Sequence, residues 1–145
     1  MNRSLESMAL WSLAVCAGPL LAACTTAHRG AVPARSPTQQ ITRAGTQPPT
    51  DGPTANFRGR VRVDRLFAAD EELNASSAYV TFEPGARSAW HTHPAGQRLV
   101  VTSGVGLTQA WGEPVQELHA GDVVVCPTGV KHWHGAGPTS AMTHL

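Results

Sequence analysis

The chain has 145 residues, 41% hydrophobic and 14% charged, with 11 Lys and Arg against 10 Asp and Glu for a formal net charge of +1. That balance gives no reason to expect a nucleic-acid partner or strong steering of a charged ligand. The length allows one compact domain once unstructured parts are set aside. The 3 Cys show no zinc-finger spacing and no close pair, so disulfides are not expected to hold the fold.

Residues 1–23 read as an export signal. Arg3 supplies a positive start, with Glu6 beside it, and Met8 to Ala23 is an almost unbroken apolar run containing Pro19. The run is too short for a comfortable membrane span. It ends in Leu21-Ala22-Ala23-Cys24, which resembles the lipobox of bacterial lipoproteins, where cleavage precedes a Cys that then carries lipid. The resemblance implies an acylated Cys24 that holds the protein at a membrane surface; a free Cys24 after simple secretion is the alternative. Thr25, in place of an Asp, is similar to lipoproteins sent on to the outer membrane, facing the periplasm. The mature chain would then keep Cys24 and Cys126 and no internal disulfide. Residues 24–56, rich in Ala, Pro and Thr, cannot bury enough surface to order themselves and read as a flexible tether. Within it, Ile41-Thr42-Arg43 is where edge pairing could recruit a short strand.

Residues 57–145 change to short runs of period two separated by turn residues. Gly59 to Phe67 sets Val61 and Val63 against Arg60, Arg62 and Arg65, a half-buried strand with a charged outer face. Ser77 to Glu83 follows, closed by Pro84-Gly85. Further strands are expected at Gln97–Thr102, at Val105–Trp111 after a Ser103-Gly104 turn, at Val115–Leu118, Val123–Cys126 and Val130–His134, and at Ala141–Leu145. Short strands punctuated by Gly and Pro predict an all-β fold, a sandwich or a small jelly-roll barrel whose interior is a cup for a metal and a small ligand.

His91 and His93 are two apart and so leave an extended chain on one face. Gln97 follows a Pro-Ala-Gly turn, and Lys131-His132-Trp133-His134-Gly135 brings two more histidines with the same period. Inward groups at 91, 93, 97 and 132 would make a metal site open at one or two positions, because octahedral ions want six donors. The ligand types alone permit several divalent first-row ions, iron, nickel, cobalt and zinc among them.

These residues also carry a resemblance. Gly85, His91, Thr92, His93, Gln97 and Gly104 resemble the first cupin motif, in which a Glu usually stands in the place of Gln97. Gly121, Pro127, Thr128, Gly129 and His132 resemble the second, which usually ends in an Asn where this chain has Ala136. Over roughly residues 57–145 the chain resembles the bacterial manganese-dependent cupin hydroxynitrile lyases. The resemblance implies a small single-domain jelly-roll β-barrel, a homodimer, and a manganese ion held by His91, His93, Gln97 and His132. It also implies catalytic roles for His134, beside the bound substrate, and for His144, which shares a face with Met142. A neutral amide at 97 leaves the ion its full charge and makes it a stronger Lewis acid.

Thr81, Ala89 and Thr102 are further candidates to border the cup. Trp90, Trp111 and Trp133 read as core or subunit-contact residues, His119 as solvated and Cys126 as a small buried apolar residue. The chain stops at Leu145, where the resembled enzymes continue with a further strand and tail, which is expected to expose a sheet edge or weaken dimerisation. The leading function is a metal-dependent carbon–carbon lyase on a small cyanohydrin. Metal-dependent oxygenase or decarboxylase chemistry on a small carbonyl or hydroxy acid, and non-catalytic binding of a small molecule, are the alternatives.

Overall fold

A computed structural model of the chain describes residues 38–145; the expected signal peptide, Cys24 and the start of the tether lie outside the described residues. Ten strands are described: β1 (Thr50–Asp51), β2 (Phe57–Arg58), β3 (Val61–Phe67), β4 (Ser77–Phe82), β5 (Arg87–Ser88), β6 (Gln97–Ala110), β7 (Gln116–His119), β8 (Val123–Cys126), β9 (His132–Ala136) and β10 (Met142–His144). All pair antiparallel, in the order β1-β3-β4-β10-β6-β9-β5-β2, with β7 and β8 also attached to β6. The result is a curled all-β sheet, the half-barrel of a jelly roll. No helix among the described residues is long and apolar enough to cross a membrane.

Period two explains which side faces in. In β3, Val61 is buried while Arg62 is exposed and pairs with Asp64 at 2.7 Å on the outer face. Across the register Val61 meets Phe82, which in turn meets Met142. Those three, with Ala86, Val101, Leu118 and Ala136, form the core, and Phe57, Val80 and Val124 pack against it. Burying side chains of this size stabilises the fold by roughly 1.5–3 kcal/mol each.

Two local expectations are corrected. Ser103-Gly104 is not a turn, because β6 runs unbroken for 14 residues. Its first residues, Gln97–Val100, pair with β8, and its later ones pair with β7 and β9, so the strand bends from one sheet into the next. Gly104 takes φ 77° beside the register shift between Thr143 and His144, and a Cβ there would run into the Ala141 carbonyl. A glycine in a bulged strand supplies that bend and looks locally like a turn. The other correction is the short strand at Ile41-Thr42-Arg43. Those residues are irregular and lead into a turn closed by the Thr46 N–H on the Arg43 carbonyl at 3.2 Å, and Thr50–Asp51 supplies the edge pairing against Arg62–Val63.

Candidate metal centre

Two backbone segments come together at one end of the half-barrel. The segment between β5 and β6 carries His91 and His93, and β9 carries His132 and His134. They meet in an isolated bridge in which His91 and His132 exchange reciprocal N–H to carbonyl bonds, each 3.0 Å. Alternation then turns all four imidazoles to the inside. One donor atom from each of His91, His93 and His132 lies within 4.8 Å of the other two, a cluster able to coordinate a divalent metal.

Hydrogen bonding fixes which nitrogens face the common point. Nδ1 of His91 lies 2.8 Å from the Ala89 carbonyl, and Nδ1 of His132 lies 3.0 Å from the Val130 carbonyl. A carbonyl only accepts, so in each neutral ring Nδ1 carries the proton and Nε2 presents a lone pair, the arrangement seen in metal-binding imidazoles. His93 Nε2 is buried with no partner. Burial lowers the pKa of His91 against the pull of the Ala89 carbonyl, with His132 adding to the fall; burial, then His91 and His132, lowers that of His93. Neutral rings are what a metal requires.

Gln97, the first residue of β6, sits at the same place, its Oε1 3.0 Å from Nε2 of His132. Two lone pairs at that distance are unfavourable with nothing positive between them. Two donors bound side by side to one ion at about 2.1 Å stand about 3.0 Å apart, so the donor set fits a divalent ion. In metal-free protein the same distance suits a Gln97 amide turned so that its NH₂ donates.

Deeper in, His134 and His144 face each other with ring centroids 4.9 Å apart at 84°. Both are buried. Nδ1 of His134 and both ring nitrogens of His144 lack hydrogen-bond partners. Phe82, in the core, packs edge-on against His134 and stacks on His144, both at 5.8 Å. His134 is joined to the metal cluster through His91, 5.4 Å away between centroids. Burial, and then the neighbouring imidazoles with His144 first, pushes the pKa of His134 well down; burial takes that of His144 down to about 4 against a weaker opposing pull from the Leu145 backbone. Both rings are therefore neutral at ordinary pH.

The remaining expected residues divide. Ala89 belongs to the centre through its carbonyl. Thr81 and Thr102 do not: Thr81 bonds Thr143 at 2.9 Å on the face of β4 opposite Phe82, and the exposed Thr102 donates to the Thr143 carbonyl at 3.2 Å. His119 is exposed and lies 3.0 Å from Glu117, and Cys126 is a buried free thiol whose pKa burial raises. Sequence reasoning missed Ser88, whose buried hydroxyl accepts the His134 backbone N–H at 3.1 Å, and Phe82 as the ring on which both His134 and His144 pack. A polar groove of about 360 Å³ lies elsewhere, its Arg60 and Arg62 balanced by Asp51 and Glu83, and holds none of the histidines.

A family model for the cupin domain matches residues 78–143. The (R)-mandelonitrile lyase of Granulicella tundricola is 56% identical over 106 residues, covering 73% of this chain and 81% of that protein. A solved cupin-like protein from Thermotoga maritima superposes with a TM-score of 0.62 at 42% identity, over 73% of this chain and 77% of its own. A predicted oxalate decarboxylase from the same organism, with a TM-score of 0.63 and 18% identity over 72% of this chain and 94% of its own, shares the fold alone. This chain belongs to the cupin superfamily, is closely related to a mandelonitrile-lyase-type enzyme, and carries a three-histidine cluster able to bind a divalent metal.

Proposed function

We propose that the protein is a metal-dependent hydroxynitrile lyase, cleaving a small cyanohydrin to an aldehyde and hydrogen cyanide. The observation that carries this reading is the pairing of three convergent histidines with two buried, unpartnered ones, in a chain 56% identical to a mandelonitrile lyase. His91, His93, His132 and Gln97 would hold the ion, manganese by analogy with the resembled lyases. When bound, such an ion acts as a Lewis acid that acidifies a hydroxyl.

The protein's own groups do the rest. His134, held neutral by burial and the neighbouring imidazoles, takes the hydroxyl proton of the cyanohydrin. Its low pKa makes it a weak base, suited only to a hydroxyl already acidified. The carbon–carbon bond then breaks, its electron pair leaving with cyanide while the oxygen's pair closes the aldehyde carbonyl. Cyanide takes up a proton, passed through His134 and His144, and departs as hydrogen cyanide. Phe82 and the apolar core beneath the two rings keep water out. The same reading takes residues 1–23 as a signal peptide, Cys24 as the lipid attachment point, 57–145 as the catalytic domain and the enzyme as a homodimer.

The test is release of benzaldehyde from racemic mandelonitrile by the manganese-loaded full chain at mildly acidic pH, with spontaneous decomposition subtracted. Release is expected to be metal-dependent, absent from His132→Ala and unchanged under argon. Folded, metal-loaded protein that releases nothing would refute the proposal, and turnover of another carbonyl substrate only in the presence of oxygen would move the assignment to an oxygenase.

A further inference from the structure

We infer that the tryptophan cluster on the outer face, Trp90, Trp111 and Trp133, clamps the two ligand-bearing segments together and makes Trp111 a positioning residue for the metal. The inference rests on reading His91, His93 and His132 as ligands. Tryptophan and histidine alternate along both segments, as Trp90-His91 and as His132-Trp133-His134. Period two therefore puts the histidines on one side of these stretches of backbone and the half-buried Trp90 and the buried Trp133 on the other. A slip of one segment against the other on the outer face must move the imidazoles on the inner one.

Few backbone bonds resist such a slip. His91 and His132 share one isolated bridge, the Gly129 N–H donates to the His93 carbonyl at 3.1 Å, and the next ladder pairing between these segments is Arg87 with Gly135. The rings supply what the ladder lacks. Trp90 meets Trp111 edge to face at 4.9 Å and Trp133 at 6.4 Å. The Trp133 indole N–H donates to Gln109 at 2.9 Å, which anchors it to β6. Trp111 donates its backbone N–H to the Lys131 carbonyl at 2.8 Å, and the Lys131 ammonium lies 4.0 Å over its ring. Trp111 is 62% exposed, yet one face is covered by that ammonium and Trp90 packs against it. The ring is thus engaged by neighbours of the ligands, which suits a clamp better than an open platform for a passing ligand.

The experiment titrates metal-free full-length protein with manganese at fixed pH and reads the free ion by electron paramagnetic resonance, without substrate. Trp111→Ala is expected to weaken binding about tenfold, as removal of groups that orient metal ligands does. Trp111→Phe, which keeps a ring in place, should restore most of the affinity. Lys131→Ala, a surface change that leaves the core intact, should weaken it about threefold. Because Trp111 is largely exposed, the melting temperature of the metal-free protein should move little. An unchanged dissociation constant in folded Trp111→Ala, or an equal loss in Trp111→Phe, overturns the clamp. Either result leaves the lyase proposal standing, since that is read from turnover.

Discussion

The three-histidine cluster and the His134–His144 pair lie a few ångströms apart and differ in what holds them. In the cluster, His91 and His132 each spend one nitrogen on a backbone carbonyl and turn the other inward, so the rings are aimed by hydrogen bonds. In the pair, Nδ1 of His134 and both nitrogens of His144 are buried without a hydrogen-bond partner, and the rings are oriented by packing on Phe82. Fixed lone pairs that converge are suited to a cation. Neutral rings with free nitrogens in a dry setting are suited to moving a proton. One fold thus makes two kinds of histidine site from the same residue type, and the difference lies in the partners.

Removing a member of the cluster should have the largest effect. His132→Ala is expected to lower both metal content and turnover, the latter to background, a loss of at least about a thousandfold; metal analysis and aldehyde release on the same sample check this. Acid should act next, most strongly through the more deeply buried pair. The His144 pKa is pushed down to about 4, whereas an unfolded imidazole titrates near 6.5. Between those values the unfolded chain holds a proton that the folded chain does not, so stability is full above about pH 6.5 and falls as the pH drops toward 4. The loss from His144 alone is on the order of 3 kcal/mol. Urea unfolding of metal-free protein at pH 7 and pH 4.5 measures it, and His144→Phe should remove part of the slope. A smaller effect is expected from Gln97→Glu. A carboxylate there partly neutralises the ion, so manganese should bind more tightly while turnover falls about tenfold.

The outline of this division was legible in the sequence because period two is a strong signal. His91 with His93, and His132 with His134, announce a shared face, and the alternation of valine and arginine in Val61–Phe67 announces the strand opposite. What could not be read was anything set by contacts distant along the chain. Phe82 looks like any core residue until β10 is placed beside β4 and brings His144 to it. The bend at Gly104 depends on Ala141, 37 residues later, so Ser103-Gly104 shows only its local likeness to a turn. Thr81 and Thr102 were candidates for the cup because strand alternation alone does not say which face is inside. The tryptophans read as packing residues, but their place behind the clustered histidines follows only from the His91–His132 bridge.

The most direct test of the central claim is one sample of His134→Ala assayed twice, for bound manganese and for benzaldehyde released from mandelonitrile. If the cluster holds the ion and the pair moves the proton, manganese content will match that of the unmodified protein while turnover falls by roughly 10²–10⁴-fold. Turnover retained at full metal content would contradict the account, and so would metal lost together with turnover, because either result would erase the difference between the two histidine sites.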